Sequence, residues 1–306
     1  MTQTIPRANS RAPKSRQPKP GRLPRAAVHH PWWFALPAIL VFAGFFLAPN
    51  LLNFYYPFTN WSSYHSDISF TGLDNFTTVA EDGSLLRAIR TTLLYAVLAA
   101  LFQNGFGLGL ALLLEADTRF NRFFRAVFFL PVLISALATG YVFQALLDQD
   151  GALNSVLGTD VPWLGSTTWT LVIVSVIHGW KWMGLAMLIY LAGLKGIPND
   201  MLEAARMDGA GPWRTFRSVR WPMLAPAVTF NVTTALIGSM NTFDIVQATT
   251  GGGPAASTEV FNIYMFRIFG QGLYAQATAM SLVLFLIVVA VAIPLVVGLR
   301  RREQLL

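Results

Sequence analysis

The chain has no cysteine, which excludes disulfide cross-links, thiolate nucleophiles and cysteine-ligated metals and leaves the redox compartment unreadable. Histidine is nearly as scarce. The four are His29, His30, His65 and His178, three of them in tail or loop, with no metal-ligand spacing and no nucleophile motif beside them, so a membrane-embedded enzyme is set aside. There is no G-x-x-x-x-G-K-[ST] phosphate loop, and ATP hydrolysis by this chain is not expected. Charge is the most informative shortage. Only 12% of the 306 residues are Asp, Glu, Lys or Arg, against about 25% in an ordinary soluble domain. Together with a mean hydropathy of +0.49, that excludes a water-soluble fold.

What is present is apolar, 54% of the chain. Six uninterrupted runs cover about 32–52, 92–114, 123–147, 169–194, 222–246 and 275–299, each long enough for the roughly 20 residues that cross a bilayer core as a helix. Within them only Arg125, Lys181 and Asp244 carry formal charge, because an ionised group in hydrocarbon costs on the order of 3 kcal/mol on insertion scales. Runs of this length exclude a barrel, whose strands need about 10 alternating residues. The reading is an all-α integral membrane protein with six transmembrane helices.

Lysine and arginine set the orientation. Eighteen of the 22 fall in the N-terminal tail, the second and fourth connections and the C-terminus, whereas Arg87, Arg90 and Arg267 are the only ones in the first, third and fifth connections. Both termini are therefore expected in the cytoplasm. The net charge of +7 marks sidedness in a lipid bilayer, and no nucleic-acid partner is expected, since the basic residues flank spans instead of interleaving with aromatics on a polar face. Residues 1–30 hold seven basic residues, five prolines and no acid and read as a disordered basic cytoplasmic tail. Residues 31–90 read as a first, uncleaved helix anchored by Trp32 and Trp33 plus an extracytoplasmic loop, 91–300 as a core of five helices, and 301–306 as a second cytoplasmic tail.

The fourth connection, about 196–221, has punctuation of its own. Asn199 or Asp200 can cap a short helix over Met201–Asp208, Gly209 suits its left-handed end, and Gly211-Pro212 restarts a second helix. In that second helix Trp213 and Phe216 recur at helical spacing opposite a basic set of Arg214, Arg217 and Arg220. Physical chemistry alone leaves two readings open: a helix lying on the inner leaflet, or a docking surface for a cytoplasmic partner.

Glu203-Ala204-Ala205, Gly209, Val219, Trp221 and Pro222 resemble the EAA signature of ABC-importer permeases, with Val219 and Trp221 standing in for the usual isoleucine and leucine. A second stretch, with Phe243, Asp244, Thr249, Gly252, Gly253, Pro254, Ser257 and Thr258, resembles the Gly-Gly-Pro segment of carbohydrate-importer permeases. The likeness, over roughly residues 90–300, is to the half of the pair similar to the maltose-permease F and glycerol-phosphate-permease A subunits. It implies a type I ABC-importer permease core in a prokaryotic cell membrane, N-in and C-in. The implied partners are a second homologous permease subunit, two ATPase subunits at the coupling loop, an extracytoplasmic solute-binding protein and a disaccharide- or oligosaccharide-type substrate. ATP and magnesium would sit on the ATPase, with no cofactor or metal in this chain. Another solute such as glycerol phosphate is the alternative. A secondary transporter would need inverted repeats or a relay of intramembrane acids, and the sequence has neither.

By the same resemblance, ATPase coupling falls on Glu203, Ala204, Ala205, Asp208, Gly209 and Pro222, and the substrate pathway on Trp180, Gly238, Ser239, Asn241, Thr242 and Phe243. The spacing places Thr234, Gly238 and Thr242 on one helical face, where small and polar residues serve either to contact a sugar or to pack helix on helix. For Lys181, midway along the fourth run, the expected partner is an acid in another helix or in the second subunit. Asp244 is expected to be a cap or a buried hydrogen-bonded acid.

Overall fold

The computed structural model describes residues 32–81 and 83–304; the tail expected over 1–30 and the last two residues of 301–306 lie outside them. Among the described residues there is no β-strand, only an isolated antiparallel bridge between Thr59 and Phe70. The chain forms two compact units, one up to Ala48 and one from Pro49 onward. In the first, a 3-10 turn at Trp32–Ala35, an α-helix at Leu36–Phe42 and a π turn at Ala43–Leu47 follow one another.

In chain order the helices are α1 (Trp33–Phe58), α2 (Asp74–Glu81), α3 (Ser84–Leu113), α4 (Arg119–Leu133), α5 (Ala136–Leu147), α6 (Ala152–Leu157), α7 (Thr170–Lys195) and α8 (Asn199–Met207). Then come α9 (Pro212–Met223), α10 (Ala225–Met240), α11 (Asp244–Thr249), α12 (Phe261–Gly270) and α13 (Tyr274–Gln304). Four of these, α1, α3, α7 and α13, are long and apolar enough to cross a membrane unaided, and two bent pairs raise the number to six if each pair is one span.

The bent pairs correct the sequence reading. The run 123–147 is not one rod: α4 and the helices after it meet at 98°. Pro131 lies inside α4 and removes a backbone donor near its end, and Ile134 then takes an extended conformation with ψ 142°. The run 222–246 is broken twice. A bend of 68° separates α9 from α10, at Leu224 between Pro222 and Pro226, and α10 stops at Met240 before α11 restarts at Asp244. The second run starts earlier than expected, at Ser84, so Arg87 and Arg90 are helical.

Helix α7 is the central element of the second unit. Its partners on α3 advance with it, Tyr95 meeting His178 and Asn104 meeting Tyr190, so these two helices run parallel. Alanines 88, 96, 99, 100 and 111 on α3 are buried and let the backbones approach, as small residues do where lipid gives no hydrophobic drive between helices. Against α4 and α10 the order reverses. Pro131 and Phe128 of α4 meet Lys181 and Gly184, and Ser239 and Asn231 of α10 meet His178 and Ala186, so both run antiparallel to α7. Large apolar side chains such as Phe285, Leu286 and Ile293 on α13 remain exposed, as on a surface that faces hydrocarbon.

Candidate functional site

The connection after α7 folds as a helical hairpin. Helix α8 starts two residues earlier than expected and has Pro198 at its N-cap with no side-chain cap, so neither Asn199 nor Asp200 plays the capping role foreseen. It ends as foreseen. Gly209 has φ +72°, the left-handed conformation glycine enters without steric cost, and the N–H groups of Gly209 and Ala210 donate to the carbonyls of Arg206 and Ala205 at 3.0 and 2.9 Å, which closes the helix end. Gly211 is extended and Pro212 opens the next helix. No residue of α8 is buried. Glu203, Ala204, Asp208 and Gly209 are exposed, Ala205 and Pro222 half-buried, and Met207 is 89% exposed.

The hairpin is held at its base. Leu202 packs on an apolar cluster with Ile197, Leu194, Tyr190 and Leu224. Arg220 turns from the basic set to pair with Glu115 at 2.6 Å, leaving Arg214 and Arg217 exposed. Arg125, counted by sequence among the charges inside a span, caps the end of α3 instead: its guanidinium donates to the carbonyls of Leu114, Glu115 and Ala116 at 2.6 to 3.1 Å. The Trp213 and Phe216 rings stack at 5.8 Å and, with Arg206 and Arg220, line an open groove of about 680 Å³. A solvent-exposed helix with an acid, two small residues and a rigid turn can enter a cleft on another protein and transmit a push to the helices behind it.

The interior residues divide by environment. Ser239 is fully buried, and its hydroxyl donates to the Ala235 carbonyl at 2.7 Å and meets His178 Nε2 at 3.3 Å. The other imidazole nitrogen, Nδ1, is 3.0 Å from the Tyr95 hydroxyl. One histidine thus joins α3, α7 and α10, a role that composition could not expose, although a histidine deep in an apolar run facing hydroxyls on neighbouring runs is a usable signal. Thr242 falls beyond the end of α10 and is buried, so the expected stripe with Thr234 and Gly238 does not extend to it. Its carbonyl accepts from the Asn262 amide at 3.2 Å.

Gly238 and Asn241 are exposed, and a Cβ built on Gly238 meets nothing within 4 Å. Trp180 is half-buried, its ring edge-on to Phe143 at 5.2 Å. It lies within one turn of the His178–Ser239 contact, so Trp180 and Gly238 share a level of the bundle. Phe243 stands apart: it packs on Phe266 at 5.1 Å and lines a largely apolar cleft of about 390 Å³ with Asn53, Asn262 and Phe269. The other five expected pathway residues do not line that cleft.

Two charged residues have unforeseen surroundings. Lys181 meets no acid among the described residues of this chain: its ammonium donates to the backbone carbonyls of Pro131, Val132 and Ile134. Asp244 is exposed and neither buried nor a cap, since Phe243 takes the N-cap position; it sits in the first turn of α11, where a negative charge suits the helix dipole. The Gly-Gly-Pro segment forms a tight loop, with Thr258 Oγ1 bonded to the Gly253 carbonyl and to Thr250 Oγ1, both at 2.7 Å.

Residues 103–301 match the family model described as binding-protein-dependent transport system inner membrane component. The chain is 33% identical over 282 residues to the probable starch degradation products transport system permease protein AmyD of Thermoanaerobacterium thermosulfurigenes, covering 89% of this chain and 94% of that one. It is 30% identical over 267 residues to the multiple sugar-binding transport system permease protein MsmF of Streptococcus mutans, covering 86% and 92%. Among solved structures it superposes on a chain of a bacterial ABC transporter involved in the import of the acidic polysaccharide alginate, with TM-score 0.76, 22% identity, and 88% and 94% of the two chains covered; at that identity the likeness is one of fold.

Proposed function

The chain belongs to the binding-protein-dependent transport system inner membrane component family, and on that premise we propose that it is one permease half of an ATP-driven carbohydrate importer in a prokaryotic cell membrane. Each bent pair then counts as one crossing, giving six spans with both termini in the cytoplasm, which puts the α8–α9 hairpin on the cytoplasmic side, in agreement with its basic residues. A second, homologous permease chain completes the pore, two ATPase subunits dock at the coupling hairpins and bind ATP and magnesium, and an extracytoplasmic binding protein delivers the sugar. This chain performs no covalent chemistry. It passes substrate by shifting between states open to one side and then the other, each favoured by the nucleotide state of the ATPase.

The observation that carries the reading is the exposed α8, with Glu203-Ala204-Ala205 on a helix that has no fully buried residue, ended by a left-handed Gly209 and tied to the bundle through Leu202 and the Glu115–Arg220 pair. The small side chains of Ala204 and Ala205 leave room for close approach of a partner, and Glu203 offers a charge to a cation there. A carbohydrate is favoured by what the relatives are named as transporting and by the Asn241 amide beside the open space at Gly238, with the Trp180 ring on the same level of the bundle. Reconstitution with the partner subunits in lipid vesicles, followed by ATP-dependent uptake of a panel of labelled mono-, di- and oligosaccharides, tests it. Uptake of at least one sugar that needs both ATP and the binding protein is expected, and accumulation without ATP would refute it.

A further inference from the structure

The 98° bend between α4 and the helices that follow leaves the carbonyl end of α4 inside the molecule. The last carbonyls of a helix have no partner within it. Lys181, from the middle of α7, supplies one: its ammonium donates to Pro131 O at 3.2 Å, Val132 O at 3.4 Å and Ile134 O at 2.6 Å, and it lies 4.9 Å from the centre of the Trp182 ring. Three donors thus meet three acceptors. The side chain is 2% exposed, so it reaches neither substrate nor solvent, and its positive charge faces the negative end of the α4 dipole.

The two sides of this clamp differ. α4 is fastened to the α3–α7 frame. A Cβ on Gly184, one turn beyond Lys181, would fall 2.4 Å from the Phe128 carbonyl oxygen, so the two backbones are in direct contact, and Arg125 ties α4 to the end of α3. α5, beyond the bend, packs instead on α11: a Cβ on Gly140 would fall 2.4 Å from the Ala248 Cβ and 3.2 Å from the Ile245 carbonyl oxygen. Both α5 and α11 join the frame through non-helical links, at Ile134–Ser135 and at Asn241–Phe243. Their other contacts with α3 and α7 include the Phe143–Trp180 ring pair and an apolar cluster that joins Leu147, Ile245 and Val246 to Tyr95, Val174 and Ile177. Such contacts are non-directional and allow sliding, whereas the ammonium–carbonyl clamp fixes a point.

We propose that Lys181 is the pin of a hinge: it holds Pro131–Ile134 on α7 while α5 and α11 turn together as one body. Lys181 is accordingly a positioning residue. The proposal rests on the transport reading for what the turn accomplishes, opening and closing the substrate path, and not for the hinge itself.

Because the chain has no native cysteine, spin labels can be placed uniquely when the partner subunits are also cysteine-free. One pair, Phe123→Cys on α4 and Tyr141→Cys on α5, spans the hinge; a second, Leu101→Cys on α3 and Leu185→Cys on α7, does not, and all four positions are exposed. Distances are read by pulsed electron paramagnetic resonance on the full chain, co-expressed with its partner subunits and reconstituted in lipid vesicles without nucleotide. With Lys181 intact both pairs give a single narrow distribution. Lys181→Met, which keeps most of the length and removes the donors, is expected to abolish the narrow distribution across the hinge and leave the α3–α7 pair unchanged. A hinge distribution unaltered by the substitution overturns the proposal. Broadening of both pairs equally also overturns it, since it makes Lys181 a general packing residue. If Lys181→Met fails to insert, Lys181→Leu, which also removes the donors, is read by the same criteria. The readout does not involve sugar or ATP, so its failure is distinct from failure of the transport reading.

Discussion

Glu115 Oε2 and Arg220 Nη1 are 2.6 Å apart although 105 residues separate them in the chain. The pair joins the segment just after α3 to α9, the second helix of the exposed hairpin. Both side chains are less than one-third exposed, 24% for Arg220 and 30% for Glu115, so the contact is only partly screened by water. Arg125 holds the backbone of that same segment. Hydrogen-bonded contacts thus link α9 and α4 to the segment that follows α3.

Glu115→Ala and Arg220→Ala should each cost about 1 kcal/mol of stability, the upper end of what partly exposed pairs contribute, and each should reduce ATP-driven uptake more than that cost explains. The exchanged double variant Glu115→Arg with Arg220→Glu is expected to recover most of the uptake. Thermal unfolding and vesicle uptake, measured together as a double-mutant cycle, check this; independent, additive effects would show that the pair does not act as a unit.

At the hairpin itself, Glu203→Lys should leave folding within about 0.5 kcal/mol of the native chain, because Glu203 is exposed and surface substitutions are usually this mild. ATP-driven uptake should nevertheless fall to background. Gly209→Pro should do the same for a backbone reason: proline fixes φ near −65°, and Gly209 has φ +72° and an N–H bonded to Arg206. Membrane fractionation verifies insertion, and normal uptake in either variant would remove α8 from the coupling route.

The places where sequence and structure part company have one physical origin. Hydropathy averages over a window, and the cost of placing charge in lipid is the same for a straight and a bent helix, so α3, α7 and α13 were legible and the breaks at Ile134 and at Asn241 were not. Gly209 and Pro212 were legible because a left-handed turn and a first-turn proline are local demands of the backbone. Lys181 was visible as an anomaly, yet its partners are backbone carbonyls, which every residue has, so side-chain chemistry pointed to an acid that the structure replaces with Pro131, Val132 and Ile134. His178 is structural through contacts that are not local in the sequence. Its partners Tyr95 and Ser239 lie 83 and 61 residues away, and only the packing of three helices brings them to it.

His178→Ala removes the imidazole partner of both the Tyr95 hydroxyl, which keeps a side-chain hydrogen bond to Thr242, and the Ser239 hydroxyl. Each lost hydrogen bond contributes about 0.5–1.5 kcal/mol, so a destabilisation of about 1–3 kcal/mol is expected, read as a lower thermal midpoint of the solubilised chain. Ser239→Ala should cost less, because the hydroxyl it deletes is bonded mainly to Ala235 of its own helix. The double variant should cost less than the two single costs combined, since both remove one shared contact.

Two glycines separate packing from passage. At Gly184 an added Cβ would lie 2.4 Å from the Phe128 carbonyl oxygen and 2.8 Å from the Phe129 Cα. These are backbone atoms that cannot step aside, so Gly184→Ala must push α4 away from α7 and strain the Lys181 clamp; a loss of about 1–3 kcal/mol is expected, the usual penalty of overpacking. At Gly238 an added Cβ meets nothing within 4 Å, so Gly238→Ala should leave the thermal midpoint unchanged, and Gly238→Leu nearly so. If that open space is where sugar passes, beside Asn241 and on the level of Trp180, the leucine variant should reduce transport severely while ATP hydrolysis by the assembled complex continues, because the obstruction lies in the path and not in the coupling hairpin. Trp180→Ala should weaken uptake at low sugar concentration more than at saturation, as expected for loss of an aromatic contact. Full uptake in Gly238→Leu would assign the open face of α10 to contact with another helix, and the route of the sugar would then have to follow the cleft at Phe243.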